Sequence, residues 1–358
     1  MTKRIEGLDA ARALAMFGML IVNFTVITGA DTSGQSFLQV FMHLFEGRAS
    51  ATFVILAGIG ISLLTKRAYL SKEPALIRDK RTAIQKRALF LFVLGLLLYI
   101  VGWTGDILHY YGMYMLIASL CIMLSAKWLF SISAIITVVA QFLQIKYNYL
   151  FGWDPQQPLL LYLDFWTPEG FLRNLFFNGY HPILPWISFF LIGMGLGRFD
   201  LSSKKIQKSL LIFSISSCIL CEGLSRRLQH VSLSFLDNDS AAFLFGTGPI
   251  PPNIFYIASN TASSIVIIVL TLQLCEKLAN NIIVKTLIHT GQLSLTHYVA
   301  HIFIGVSILE LLGRSQNQSL AFVLGFTTVY FFITMLLSFI WRRKFSRGPV
   351  EWCMRKIA

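Results

Sequence analysis

Residues Gly7-Leu-Asp9-Ala-Ala-Arg12-Ala-Leu-Ala-Met16-Phe-Gly-Met19-Leu-Ile-Val-Asn23-Phe-Thr-Val-Ile-Thr28 form an apolar run broken by a carboxylate, a guanidinium and an amide. As a helix rising about 1.5 Å per residue, the run spans a hydrocarbon core of about 30 Å. At about 100° per residue, Asp9, Arg12, Met16, Met19 and Asn23 fall on one stripe of that helix. Polar groups on such a helix are costly in lipid, so the stripe turns toward other helices or a solvated passage.

Nine further stretches of the same kind come after it, placing spans at about 8–28, 48–65, 88–104, 107–126, 129–147, 183–199, 208–225, 253–275, 287–311 and 319–341. Of the 358 residues 55% are hydrophobic and only 13% charged, too few to cover a water-soluble fold. The apolar runs do not alternate as barrel strands do, and backbone groups in lipid must be paired internally. The expected fold is all-α: a polytopic transmembrane helical bundle of about ten spans, one domain over residues 1–358.

The net charge of +13 raises the question of nucleic acid, but its placement answers it. With the N-terminus inside, about 23 basic residues fall on inner segments, from Lys3 and Arg4 to Arg355 and Lys356, against about six on outer ones. That asymmetry puts both termini in the cytoplasm and assigns the basic runs to orientation and anionic lipid, with no nucleic-acid partner. The chain has five cysteines; Cys218 and Cys221 lack nearby partners for a zinc site and read as packing. The first run lacks a small-residue cleavage site and is expected to stay as a helix.

An inner loop, Lys66 to Arg87, contains Ser71-Lys-Glu-Pro74 and suits a capped surface helix. Two longer segments belong to the outer side. Residues 147–182 mix Trp153, Phe165 and Trp166 with Asp154, Asp164 and Glu169, as an interfacial aromatic segment does. Residues 226–253 close with Gly246-Thr-Gly-Pro-Ile-Pro-Pro252, which cannot be helix and is the one segment expected to be broken. No internal repeat links the two halves.

Several clusters carry candidate chemistry. Asp9 and Arg12 form either an ion pair that seats the helix or a site where Arg12 receives an anion. Arg4, Arg198 and Arg342 offer further forks for phosphate. In Thr290-Gly-Gln-Leu-Ser-Leu-Thr-His297-Tyr-Val-Ala-His301 both histidines share a face with Thr290 and Ser294. Without a third ligand they do not read as a metal site, which leaves structural histidines or a general base or acyl acceptor. His43, Glu46 and Arg48 precede the second span as a helix anchor or as groups that orient a polar acceptor. Asp106 and His109 lie near the outer rim, where His109, like His181, reads as a capping or interfacial residue. Asn253, Tyr256, Asn260 and Ser264 give the eighth span a polar face.

The motifs, taken in order, resemble the YeiB-like family of bacterial integral membrane proteins, related to transmembrane acyltransferases of the heparan-α-glucosaminide N-acetyltransferase type. The matching pieces are Arg4-Ile-Glu-Gly-Leu-Asp9-Ala-Ala-Arg12, Glu46-Gly-Arg48-Ala-Ser50 through Gly58, Asp106-Ile-Leu-His-Tyr-Tyr-Gly112, His181-Pro-Ile-Leu-Pro-Trp186, Gly195-Leu-Gly-Arg198, Leu295-Thr-His297-Tyr-Val-Ala-His301 and Gly348-Pro-Val-Glu351-Trp352. The resemblance implies acyl transfer across the inner membrane, with acetyl-CoA as cytoplasmic donor and a sugar amine or hydroxyl as acceptor. It points to His43 and His301 as alternative catalytic histidines.

The resulting expectation is a multi-pass acyltransferase without a metal. His301 or His43 serves as base or acyl carrier, with His297 and Glu46 beside them. Arg12, positioned by Asp9, and Arg198 hold the donor's phosphates, Glu46 and Arg48 orient the acceptor at the outer mouth, and Asp106 near the outer rim is a further donor- or substrate-binding residue. Asn23, Asn260 or a backbone amide at a broken helix stabilises the oxyanion. Expected partners are membrane lipids, a glycan or lipid-linked sugar acceptor, and a second copy of the chain as a homo-oligomer. The rivals are a proton-coupled transporter or flippase, whose mark is broken helices, and a non-catalytic lipid-binding or assembly subunit.

Overall fold

The computed structural model describes residues 4–32, 36–156 and 159–357; Lys3 lies outside them. The described chain is all-α. In order the helices are α1 (Glu6–Ile27), α2 (Phe37–His43), α3 (Arg48–Ser71), α4 (Pro74–Ile100), α5 (Leu108–Leu120), α6 (Ala126–Lys146), α7 (Pro168–Arg173) and α8 (Ile183–Leu196). They continue with α9 (Lys204–Ser232), α10 (Asn238–Phe245), α11 (Ile254–Lys277), α12 (Ile282–Gln292), α13 (Ser294–Ala300), α14 (Val306–Leu311), α15 (Leu320–Lys344) and α16 (Pro349–Ile357). A π turn extends α7 (Asn174–Asn178) and another joins α13 to α14 (His301–Gly305).

Eight helical segments among the described residues are long and apolar enough to cross a membrane, and the pair Pro168–Asn178 and Ile183–Leu196, bent by 47°, makes a ninth if taken as one span. The protein is a multi-pass membrane protein. The difference from about ten spans lies at 107–126, where α5 has 13 residues, about 20 Å of helix, and falls short of the hydrocarbon thickness.

Local chemistry sets the helix ends. Ser36 and Gln39 form a reciprocal capping box at the start of α2, and Ser319 caps α15 through the Phe322 N–H. The expected inner surface helix is instead the continuation of α3 and α4 toward each other. Their basic residues are good helix formers, so both helices run on until Lys72 turns the chain with φ of 55° and Pro74 opens α4.

The chain divides into two compact units, Met1–Phe53 with Ser263–Lys356, and Val54–Ala262 with the last two residues. In the first, α1 packs against α12 and α15. Contact is close enough at Gly291 that a side chain there would strike the Asp9 carbonyl. In the second, α4 packs along α5 and α6 along α8. Gly95 of α4 admits the first turn of α5, because a Cβ at that position would overlap His109 and the Asp106 carboxylate.

The aromatic segment of the second unit folds inward. Trp153, Tyr162 and Phe165 are buried together against Leu96, Tyr99, Phe171 and Tyr180, which corrects the reading of Trp153 and Phe165 as an interfacial surface, while Trp166 and Phe176 are exposed. Asn178 ties the segment down. Its Nδ2 donates to the carbonyls of Tyr149 and Phe151, and its side-chain oxygen accepts from the Tyr162 hydroxyl at 2.8 Å. Burial pushes the Tyr162 hydroxyl pKa up, while the hydrogen bond from Arg173 opposes that rise.

Candidate functional site

The stripe on α1 faces the first unit, and Asp9 is its most heavily used member. At 1% exposure, its Oδ2 accepts from Arg4 Nε at 2.6 Å and Gln292 Nε2 at 3.4 Å. Its Oδ1 accepts from Arg4 Nη2 at 2.9 Å and Arg12 Nη1 at 2.7 Å. The Arg4 pKa is held above its ordinary value chiefly by the Asp9 hydrogen bond, against the opposing effect of its own burial. Two guanidiniums therefore share one carboxylate, and Arg342 lies within reach of the charges on Arg4 and Asp9. The expected Asp9–Arg12 pair is present; the clamp by Arg4 and Gln292 is the part the sequence alone does not reveal, because Gln292 joins from 283 positions away.

Farther along α1, the Asn23 amide Nδ2 is 3.0 Å from His301 Nε2. His301 is wholly buried, and its Nδ1 bonds the Tyr298 carbonyl. A carbonyl only accepts, so Nδ1 carries the ring proton and Nε2 presents its lone pair to the Asn23 N–H. His301 also opens the π turn, a widening of the helix common at functional sites. His297 is placed differently. The Ser338 hydroxyl donates to the Thr334 carbonyl, so it receives the His297 Nε2–H at 2.7 Å.

These histidines sit on a broken element. Leu293 departs from helical geometry between α12 and α13, whereas the sequence places its one break at Gly246–Pro252. The free N–H groups this creates are capped from a distant segment. Glu351 Oε1 accepts from Leu295 N at 2.9 Å and Thr296 N at 3.0 Å, while Oε2 bonds the Thr296 hydroxyl.

His43, Glu46 and Arg48 lie together at the end of α2 and the start of α3. His43 Nδ1 is 2.7 Å from Glu46 Oε2, and Nε2 is 3.2 Å from the Thr32 carbonyl. Arg48 reaches the His43 carbonyl at 3.4 Å. Both His43 and Glu46 are about half exposed, so this is an open cluster, unlike the enclosed pair at His301.

In the second unit, Asp106 and His109 are both completely buried. Asp106 Oδ2 accepts from the His109 backbone N–H at 3.0 Å and its ring Nδ1 at 2.9 Å. The capping function expected of His109 therefore belongs to Asp106, and the histidine keeps Nε2 without a hydrogen-bond partner. Sequence reasoning undervalued His109 because three-residue spacing to an aspartate looks like an ordinary helix start. Asn260 is buried and donates to the Tyr256 carbonyl at 2.9 Å. Arg198 donates to the Ile122 carbonyl at 2.6 Å and stacks on Tyr69 with its guanidinium 3.8 Å from the ring centroid. Among the described residues, no group of three or more His, Cys, Asp or Glu side chains is arranged to hold a metal ion.

These clusters lie in a multi-pass helical membrane protein, and comparison with known proteins makes it homologous to an acyltransferase-like family. The chain belongs to the family described as heparan-alpha-glucosaminide N-acetyltransferase, catalytic, which matches residues 4–224. Residues 232–358 match a second family, described as a protein of unknown function, DUF418. The chain is also 24% identical to Uncharacterized protein YeiB of Escherichia coli strain K12, over 98% of its own length and 95% of that protein.

Proposed function

We propose that the protein transfers an acetyl or other acyl group from acyl-CoA in the cytoplasm to a sugar hydroxyl or amine of an envelope glycan or lipid, working in the bacterial inner membrane. The observation that carries the reading is the Asn23–His301 contact, which aims an unprotonated imidazole nitrogen at an amide N–H in a chain of an acyltransferase family. His301 Nε2 attacks the thioester carbonyl, forming an N–C bond, and the C–S bond breaks to release the CoA thiolate. Asn23 donates to the carbonyl oxygen as charge gathers there. The acceptor then displaces the imidazole, and the proton it loses balances the thiolate.

Arg4 and Arg12 supply the donor's phosphate contacts. Their fit rests on chemistry: each guanidinium is a planar fork of N–H donors suited to phosphate oxygens, and the two lie together on the Asp9 carboxylate.

The test is purified protein with radiolabelled acetyl-CoA. Label retained by the wild-type protein and lost in His301→Ala, with His43→Ala unaffected, supports His301 as carrier; the reverse pattern moves the role to His43. Absence of CoA binding and of label transfer would falsify the reading. The break at Leu293 and the 47° bend before α8 favour one rival, a proton-coupled transporter, since discontinuous helices line such sites. That rival requires substrate accumulation in proteoliposomes driven by a pH gradient with no acyl donor present.

A further inference from the structure

Four rings touch in succession in the second unit: His109 and Tyr110 at 3.9 Å between centroids, Tyr110 and His181 at 6.0 Å, His181 and Trp186 at 4.5 Å. Three carry a buried ring nitrogen with no hydrogen-bond partner: His109 Nε2, His181 Nδ1 and Trp186 Nε1. Buried polar atoms are rarely left unmet, and three on neighbouring rings mark a place where something else meets them.

The chemistry of these atoms restricts the occupant. Asp106 takes the proton-bearing Nδ1 of His109, so Nε2 offers a lone pair and requires a donor. The indole N–H of Trp186 requires an acceptor. Hydroxyl groups do both, and the aromatic faces around them suit the C–H faces of a sugar ring. The buried carboxylate behind the imidazole also stabilises the ring once it has taken a proton, as in hydrolase triads.

We propose that His109, His181 and Trp186 form a binding site for a polyhydroxylated, sugar-like ligand, one of whose hydroxyls donates to His109 Nε2. If the acyl-transfer reading holds, this ligand is the acyl acceptor, and the inference rests on that reading for that point alone. Asp106 is a positioning residue: it fixes the ring tautomer.

The experiment is carbethoxylation of the full chain in lipid nanodiscs with diethyl pyrocarbonate, read by peptide mass spectrometry. His109 is expected to react, and methyl glucoside to slow its reaction at least fivefold, whereas the fully O-methylated glucoside, which has no O–H, does not. Histidine ¹⁵N spectroscopy is expected to find the proton on Nδ1 of His109, and Asp106→Asn to lose that preference while the helical circular dichroism is retained. An unreactive His109 in the folded protein, equal protection by both glucosides, or no protection by either, as for a site holding water only, overturns the proposal. Protection without any acetyl transfer sinks the acyl-transfer reading and leaves this site standing. Transfer at an unchanged rate in folded His109→Gln does the opposite.

Discussion

Asn23 and His301 stand 278 positions apart in sequence and 3.0 Å apart in the fold, the amide N–H of one pointing at the unprotonated ring nitrogen of the other. Asn23→Ala removes this donor from a buried imidazole nitrogen, which costs about 1–3 kcal/mol of stability. If the amide also holds the oxyanion, acyl transfer falls by about 10²-fold or more while CoA affinity barely changes. Thermal melts in detergent and single-turnover transfer assays separate the two effects. A loss of transfer no greater than the loss of folded protein counts against the oxyanion role.

Asp9→Ala takes the shared carboxylate from two guanidiniums at one end of α1 and removes the acceptor of Gln292. Breaking a fully buried pair costs about 3–5 kcal/mol. Because the Arg4 side chain is 62% exposed, the expected loss here is nearer about 2 kcal/mol. Denaturation midpoints of Asp9→Ala and of Arg4→Ala check this, with Arg4→Ala the milder. Equal, negligible effects would show that the cluster does not seat the helix.

Glu351→Ala removes the acceptor of the Leu295 and Thr296 backbone N–H groups. Loss of a helix cap costs about 1–2 kcal/mol, and its consequence is local. Hydrogen exchange is expected to quicken at α13 and α16 first. Glu351→Gln keeps an acceptor and restores most of the protection. Unchanged exchange in both segments would dismiss the cap.

Asp237 caps α10 by accepting the Ser240 N–H at 2.7 Å and its hydroxyl at 3.0 Å, and the backbone hydrogen bond is the main reason its pKa lies below the ordinary carboxylate value. A depressed native pKa means that the cap contributes fully above the unfolded value, about 3.9, and is lost as pH falls through the lower native one. Exchange at residues 238–245 should therefore rise below about pH 4 in the wild-type protein. In Asp237→Asn the pH dependence disappears. A flat wild-type profile would remove the carboxylate from the account.

Much of the fold is readable in the linear chain. The stripe on α1 comes from helical periodicity, and Asp9 pairs with Arg12 as three-residue spacing suggests. The helical bundle comes from length and hydropathy. The break at Leu293 is not readable, since neither proline nor glycine marks that residue and its cap comes from Glu351 in the last helix. Asn178 looks like one polar residue in an aromatic loop, because its four hydrogen bonds depend on how residues 149–162 fold back. His109 shows the limit most clearly. Its distance from Asp106 is local and legible, but the lack of any partner on its other nitrogen belongs to the packing of α4, α5 and the aromatic segment.

The π turn at His301–Gly305 holds one residue more than an α turn would. Deleting one residue between Ile302 and Gly305 would let the helix wind regularly and rotate α13 by about 100° relative to α14. His297 would swing off Ser338, and the Thr296 end would pull away from Glu351. The aim of the buried imidazole is thus written into a surplus position of the backbone, and a chain that shed it would keep every one of these side chains yet lose their alignment.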